Sequence, residues 1–290
     1  MTTETAHDWT DRIETQAGYF DRFRAAAAAA TLDDQVSEIS GDAPETGDPL
    51  PLLWHWMCCI TPAPLSQLGA DGHPMRGIFV PPPDLPRRMW AGGRLTFHAP
   101  LRVGDTLTRT SSVASVRETN GRSGKLLIVT LWHQYSRGAE RLIDEQQDLV
   151  YRGPLAGGHE TPAPGQPARD DARWQQRVQP DPVLLFRYSA LTFNAHRIHY
   201  DLDYAKHTEG YAGLVVHGPL LATLLVRLAA RTTRRRMTTF AFRGVRPLTG
   251  MQPFLLCGAP RAEGSTVDLW TRDAQGHVTM EAHATFGEPS

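Results

Sequence analysis

The sequence predicts an α+β chain made of two halves on one plan, helical material first and then an antiparallel run of strands. Three observations predict it. Apolar patterns broken by turn residues recur on both sides of a Gly-, Pro- and Ala-rich stretch, the elements come in the same coarse order in each half, and one long segment of the second half is apolar nearly all round. Such a segment has to be wrapped by other structure, and a sheet that curls around it is the natural cover.

In the first half the helical candidates are Trp9 to Ala30 and Pro51 to Leu68. Strands are expected over Arg94 to Phe97, Thr106 to Arg117, Lys125 to Tyr135 and Arg141 to Tyr151, punctuated by Gly104-Asp105, Asn120-Gly121 and Gly138. From Arg152 to Gln176 the only large apolar residues are Leu155 and Trp174, so this stretch reads as a linker. The expected boundaries are 1–155 for the first domain, 156–178 for the linker and 179–290 for the second domain.

In the second half Asp181-Pro182 makes an N-cap followed by proline at the first helical position, which predicts a helix over Val183 to Leu191. Gly218-Pro219 opens the apolar segment, which runs to Ala230. Strands are expected over Thr238 to Val245, Gln252 to Cys257, Thr266 to Thr271 and His277 to Phe286, with Asp273-Ala274-Gln275-Gly276 turning the last two into a hairpin. Pro100-Leu101-Arg102-Val103-Gly104 and Pro247-Leu248-Thr249-Gly250 occupy comparable places, an echo that leaves an internal repeat open.

Composition sets limits on function. The 290 residues, 41% hydrophobic and 21% charged, belong to an ordinary globular protein. A formal net charge of -1 provides no global field for nucleic acid or an anionic membrane, so any anionic ligand must be held locally. Met1-Thr2-Thr3-Glu4-Thr5 lacks the basic start and apolar run of a secretory signal, and the alanine tract from Ala25 to Ala30 is too short to span a bilayer. Cys58, Cys59 and Cys257 are too few for a disulfide framework, which makes a reducing cytoplasm the expected location.

The chemistry concentrates between Tyr188 and Asp203, where His196 and His199 stand three apart among Ser189, Thr192, Asn194, Asp201 and Asp203, with His207 close behind. Imidazole exchanges protons near neutral pH, and a neighbouring amide or carboxylate can orient a water. The same side chains equally suit capping of a helix end. A metal set of His196, His199 and Asp201 fits no standard spacing, so no metal or other cofactor is expected. The amide of Gly218 opens a helix and is placed to accept negative charge from a carbonyl oxygen, although a glycine used only for a turn would read the same.

At these residues the chain resembles the MaoC-like hydratases, whose motif is aspartate, any residue, asparagine, proline, any residue and histidine, with histidine-glycine downstream. The matching positions read Asn194-Ala195-His196-Arg197-Ile198-His199 and His217-Gly218. Over nearly its whole length the chain is similar to a closer subgroup, the mesaconyl-CoA and itaconyl-CoA hydratases with their mitochondrial dehydratase relatives, through Leu52-Leu53-Trp54-His55-Trp56, Leu85-Pro86-Arg87-Arg88-Met89-Trp90-Ala91-Gly92-Gly93-Arg94 and Ser189-Ala190-Leu191-Thr192-Phe193-Asn194.

The resemblance implies a double hotdog in which the helix after Gly218 is a central helix and the first domain is non-catalytic but helps form the acyl-CoA pocket. It implies a hydro-lyase for a short enoyl-CoA thioester, forming a product such as citramalyl-CoA. Position by position it makes His199 the catalytic histidine and Gly218 the oxyanion amide. Asn194 departs from the family aspartate and cannot act as a base, so it is read as holding water, with His196 and Asp201 in reserve as second proton carriers. Arg87, Arg88, Arg94 and Arg243 are the candidate ligands for substrate carboxylate or coenzyme A phosphates. The rival readings are a thioesterase on the same fold and a non-catalytic acyl-CoA-binding protein, and a homodimer is left open.

Overall fold

A computed structural model of the chain describes residues 7–10, 12–32, 44–75, 79–80, 85, 87–121, 124–153, 165–262 and 264–287. The expected α+β plan is present, with differences at the start. Trp9 to Ala30 is not one helix but a short turn α1 (His7–Thr10), a strand β1 (Ile13–Tyr19) and a helix α2 (Arg22–Leu32). Ile13, Thr15 and Tyr19 favour extended backbone, and Gly18 weakens a helix.

Pro51 to Leu68 likewise forms only two single turns of 3-10 helix, Trp54–Met57 and Leu65–Gln67. Leu53 takes a left-handed conformation (φ 69°), and Pro62 and Pro64 lack the N–H that a continuing helix needs.

The remaining strands of the first half are β2 (Arg87–Phe97), β3 (Thr106–Gly121), β4 (Gly124–Arg137) and β5 (Glu140–Arg152). Strand β2 begins at Arg87 where Arg94 was expected. Of the span 156–178 read as linker, residues 156–164 lie outside the described residues, and Trp174–Val178 is a strand, β6. Its alternation of half-buried Trp174 and Gln176 and buried Val178 with exposed Gln175 and Arg177 is the period of a strand, so the linker ends sooner than its composition suggested.

The second half continues with α3 (Pro182–Thr192), α4 (Gly218–Thr233), β7 (Met237–Gly244), β8 (Phe254–Pro260), β9 (Thr266–Arg272) and β10 (Val278–Phe286), close to the expected bounds. The Asp273 to Gly276 turn joins β9 and β10 as an antiparallel pair, with Asp273 Oδ1 accepting from the amides of Gln275 and His277.

All strands join one antiparallel sheet in the order β1-β3-β4-β5-β2-β7-β10-β9-β8-β6. Read outward from the β2–β7 seam, the halves run β2-β5-β4-β3-β1 and β7-β10-β9-β8-β6, the same order with every number raised by five. The repeat that the proline-leucine-glycine echo left open is present in the topology. Helix α4 lies against β7, β8, β9 and β10, and every residue from Leu220 to Ala229 is buried.

At the seam two residues lack side chains. Gly92 and Gly93 pair with Arg243 and Phe242, and a Cβ on Gly92 would meet the Phe242 carbonyl oxygen at 2.5 Å. Trp90, Trp56 and Phe242 pack beside it, with ring centroids 4.9 Å apart for Trp56 and Trp90 and 5.9 Å for Trp56 and Phe242. Gly92→Ala is therefore expected to lower the free energy of unfolding in urea by about 1–3 kcal/mol through overpacking. Gly244→Ala on β7, whose Cβ would meet only ordinary contact at 3.5 Å, should change it little.

Candidate active site

The site is built where α3 stops and α4 starts. Asp181 caps α3 by accepting from the amides of Val183 and Leu184, and the helix ends at Phe193 in a left-handed conformation with the Asn194 amide bonded back to the Ser189 carbonyl at 2.8 Å. Asn194 Oδ1 then accepts from the amide of His196 at 3.0 Å, closing an Asx turn. Its side-chain oxygen is committed to the loop, so the amide NH2 is the part left for a ligand.

A single 3-10 turn (Arg197–His199) follows, anchored by the Arg197 amide on the Asp71 carbonyl and by the Val215 amide on the Ile198 carbonyl. This places His199 against the strand-like approach to α4. His199 Nδ1 donates to the Val215 carbonyl at 2.7 Å, which fixes the tautomer and leaves Nε2 as a lone pair. Its ring stacks on His217 with centroids 3.6 Å apart and meets His196 edge-on at 5.6 Å. His217 Nε2 in turn shares a hydrogen with Ser189 Oγ at 2.8 Å.

His217 is the N-cap of α4, and no side chain caps the first amides of that helix. Those amides have no acceptor within the helix and carry its positive end. A Cβ on Gly218 would have nothing nearer than 3.9 Å, so the missing side chain is not forced by packing and keeps the helix end open. Asn194, His196, His199 and Gly218 line one cavity of about 200 Å³, whose opposite wall includes Arg88, Trp90 and Gln147 from the first half.

Burial keeps the histidines of this site neutral. It lowers His199 to about 3, against the upward pull of the Val215 carbonyl and with help from His196. It lowers His196 to about 4, aided by nearby Arg88. His217 lies well below the ordinary histidine value for the same reason, with His199 and His196 adding to the effect. The three imidazoles are neutral at pH 7.

Other anticipated residues stand elsewhere. Asp201 Oδ2 accepts from Arg197 and Oδ1 from the Tyr204 amide, so its carboxylate is used in capping and does not join His196 and His199. His207 is exposed on a one-turn π-helix (Tyr204–Thr208). Arg94 forms a two-toothed pair with Asp148, Arg243 pairs with Glu281, and both line a separate hollow of about 540 Å³. Arg87 is paired with Glu209 at 3.3 Å. Sequence reasoning passed over His73, whose ring packs on His196 at 4.4 Å, and the buried pair of His55 Nε2 with Glu145 Oε2 at 3.1 Å. Partners 90 positions apart leave no local signal.

The profile of the hydroxyacyl-thioester dehydratase type 2 family matches residues 53–250. Mesaconyl-C(4)-CoA hydratase of Chloroflexus aurantiacus is 45% identical over 96% of this chain and 97% of its own length. A solved MaoC-like dehydratase superposes with a TM-score of 0.71 at 14% identity, covering 97% of this chain and 99% of that one. A Mycobacterium tuberculosis protein with a double hotdog fold gives 0.55 at 13% identity, covering 95% of each chain. The fold is thus a double hotdog, and the chain belongs to the hydroxyacyl-thioester dehydratase type 2 family of acyl-thioester hydro-lyases.

Proposed function

We propose that the protein reversibly hydrates a short, branched enoyl-CoA that carries a second carboxylate, such as mesaconyl-CoA or itaconyl-CoA, giving citramalyl-CoA. The observation that carries this reading is that His199, with Nδ1 committed to Val215, shares a cavity with the open N-terminus of α4. The likeness to the Chloroflexus hydratase supports the substrate class.

In the hydration direction the thioester carbonyl rests against the Gly218 amide and a water is held by the Asn194 amide group. His199 Nε2 takes a proton from that water as its oxygen bonds to the carbon β to the thioester. In an α,β-unsaturated thioester such as mesaconyl-CoA esterified at C4, the C=C electron pair moves toward the carbonyl, and the Gly218 amide stabilises the oxygen of the resulting enolate. The proton is then delivered to the α carbon, for which the cavity offers His199 and His196. Dehydration runs the same steps in reverse. Arg88 and Arg246, half-buried on the same cavity, are the residues we assign to the coenzyme A arm. The free, buried cysteines suit a reducing compartment, and we assign the protein to the cytoplasm.

The direct test follows the conjugated double bond of mesaconyl-CoA by absorbance, with free thiol measured in parallel. His199→Ala should lower kcat by roughly 10²- to 10⁴-fold, as expected for loss of a general base. Near-normal turnover, or thiol release in place of hydration, would reject the assignment.

Gly218→Ala probes the oxyanion end. Melting temperature should hold or rise, because alanine favours a helix and meets no close neighbour, while kcat/KM falls roughly 10- to 100-fold as the methyl displaces the thioester. Unchanged kcat/KM would remove the thioester from that position.

The pH profile follows from the sign of the His199 shift. The base acts in its neutral form, and burial lowers it from 6.5 to about 3, so the working form persists far into acid. Initial-rate kcat/KM should therefore stay level from pH 8 down to about 5, since that quantity titrates groups of the free enzyme. An acid limb centred near the ordinary histidine value would contradict the neutral, buried imidazole.

A further inference from the structure

A second chamber of about 260 Å³ adjoins the His199 cavity, and Trp90, Gln147 and Asn194 border both. Most of its lining comes from the first half of the chain, with Tyr188, Thr192, Asn194 and Pro219 from the second. The one carboxylate on its wall, Glu145, is fully engaged: Oε2 takes His55 Nε2 at 3.1 Å and the Tyr135 hydroxyl at 3.4 Å, and Oε1 takes Trp56 Nε1 at 2.9 Å. Glu145 therefore does not serve the guanidinium on the same wall.

That guanidinium is Arg109, on β3 opposite Tyr135. Its Nη2 pairs with the Glu14 carboxylate at 3.3 Å and bonds Thr61 Oγ1 at 3.3 Å. Its Nε is buried with no hydrogen-bond partner. A buried, unmatched donor is costly in a native protein, and a guanidinium presents its N–H groups as a rigid fork that fits a planar carboxylate. The protein leaves this fork one short of an acceptor beside an open space.

We propose that this chamber is the subsite for the remote carboxylate of the acyl group, with Arg109 as the specificity-determining residue and His55 as its neighbour. The inference rests on the hydratase reading above and deepens it. Position selects the ligand: the chamber shares its wall with the reacting centre, whereas the phosphates of coenzyme A are separated from the thioester by the whole pantetheine arm. The acyl group must then lie with its thioester at Gly218, its double bond beside His199 and its carboxylate in the first half of the chain. This also assigns the recognition role to none of Arg87, Arg94 and Arg243.

The test compares kcat/KM for mesaconyl-CoA esterified at C4 with that for 3-methylbut-2-enoyl-CoA, where a methyl replaces the carboxylate. In Arg109→Met the ratio should fall by roughly 30-fold or more, the scale of a lost charge-assisted pair. Inhibition of the unaltered enzyme by the saturated thioesters methylsuccinyl-CoA and isovaleryl-CoA provides a reading that needs no variant, and the carboxylated inhibitor should bind at least about tenfold tighter. A wild-type preference for the carboxylate that survives in Arg109→Met within twofold would overturn the subsite and leave the hydratase reading standing. A wild type that prefers the uncharged substrate and inhibitor would overturn the subsite together with the dicarboxylate reading. Hydration of neither would overturn the hydratase reading itself.

Discussion

A helix without a polar face has to be enclosed, and much of this molecule follows from enclosing α4. Its residues from Leu220 to Ala229 are buried, and four strands of the second half lie against it. Burial on every side leaves the helix only its ends to present to a ligand. The N-terminal end, with amides that no side chain caps, meets the cavity near the β2–β7 seam. The positive pole of the helix thus reaches a region where both halves contribute walls, and water-poor surroundings make its partial charge count for more than it would at a surface.

The same dryness explains the imidazoles. A buried cation without a counter-charge is unfavourable, so His196, His199 and His217 stay neutral before substrate arrives. In the proposed reaction a proton moves to His199 as negative charge develops on the thioester oxygen. The two charges appear together across a small cavity, and each offsets the cost of the other. A ring held far below its ordinary basicity in the free protein becomes a stronger base when the oxyanion forms. The stack of His199 on His217 and the bond to the Val215 carbonyl hold the ring in register for that exchange.

Most of the fold was legible because its signals are local. Turn residues between apolar runs marked the β-strands, Asp181-Pro182 and Gly218-Pro219 marked two helix starts, and the Asp273 to Gly276 turn marked a hairpin. Legibility failed where propensity met tertiary demand. Alanines from Ala25 onward suggested a helix that extended back to Trp9, yet Ile13 to Tyr19 pairs with β3 as an edge strand. Within the site, His199, Asn194 and Gly218 could be placed from spacing and resemblance. Their surroundings could not: Val215 contributes only a carbonyl to His199, and the adjoining chamber gathers His55 from a 3-10 turn, Arg109 from β3 and Glu145 from β5. The arginines picked from sequence were conspicuous by clustering, and two of them, Arg94 and Arg243, hold carboxylates on neighbouring strands.

The asymmetry between the halves has a physical logic. Both have the same strand order, but where the second fills the hollow of its sheet with α4, the corresponding part of the first contains short 3-10 turns among the described residues. A turn fills less space than a helix of 16 residues, and the deficit remains as a chamber. Carbon-rich walls would invite collapse of such a void, whereas His55, Trp56 and Glu145 brace it through bonds that lock their side chains. One copy of the repeat thus contains the buried helix whose end faces the His199 cavity. The other contains a polar space beside it, and in the proposed reading that space lets a ligand that reacts on one half be recognised by the other.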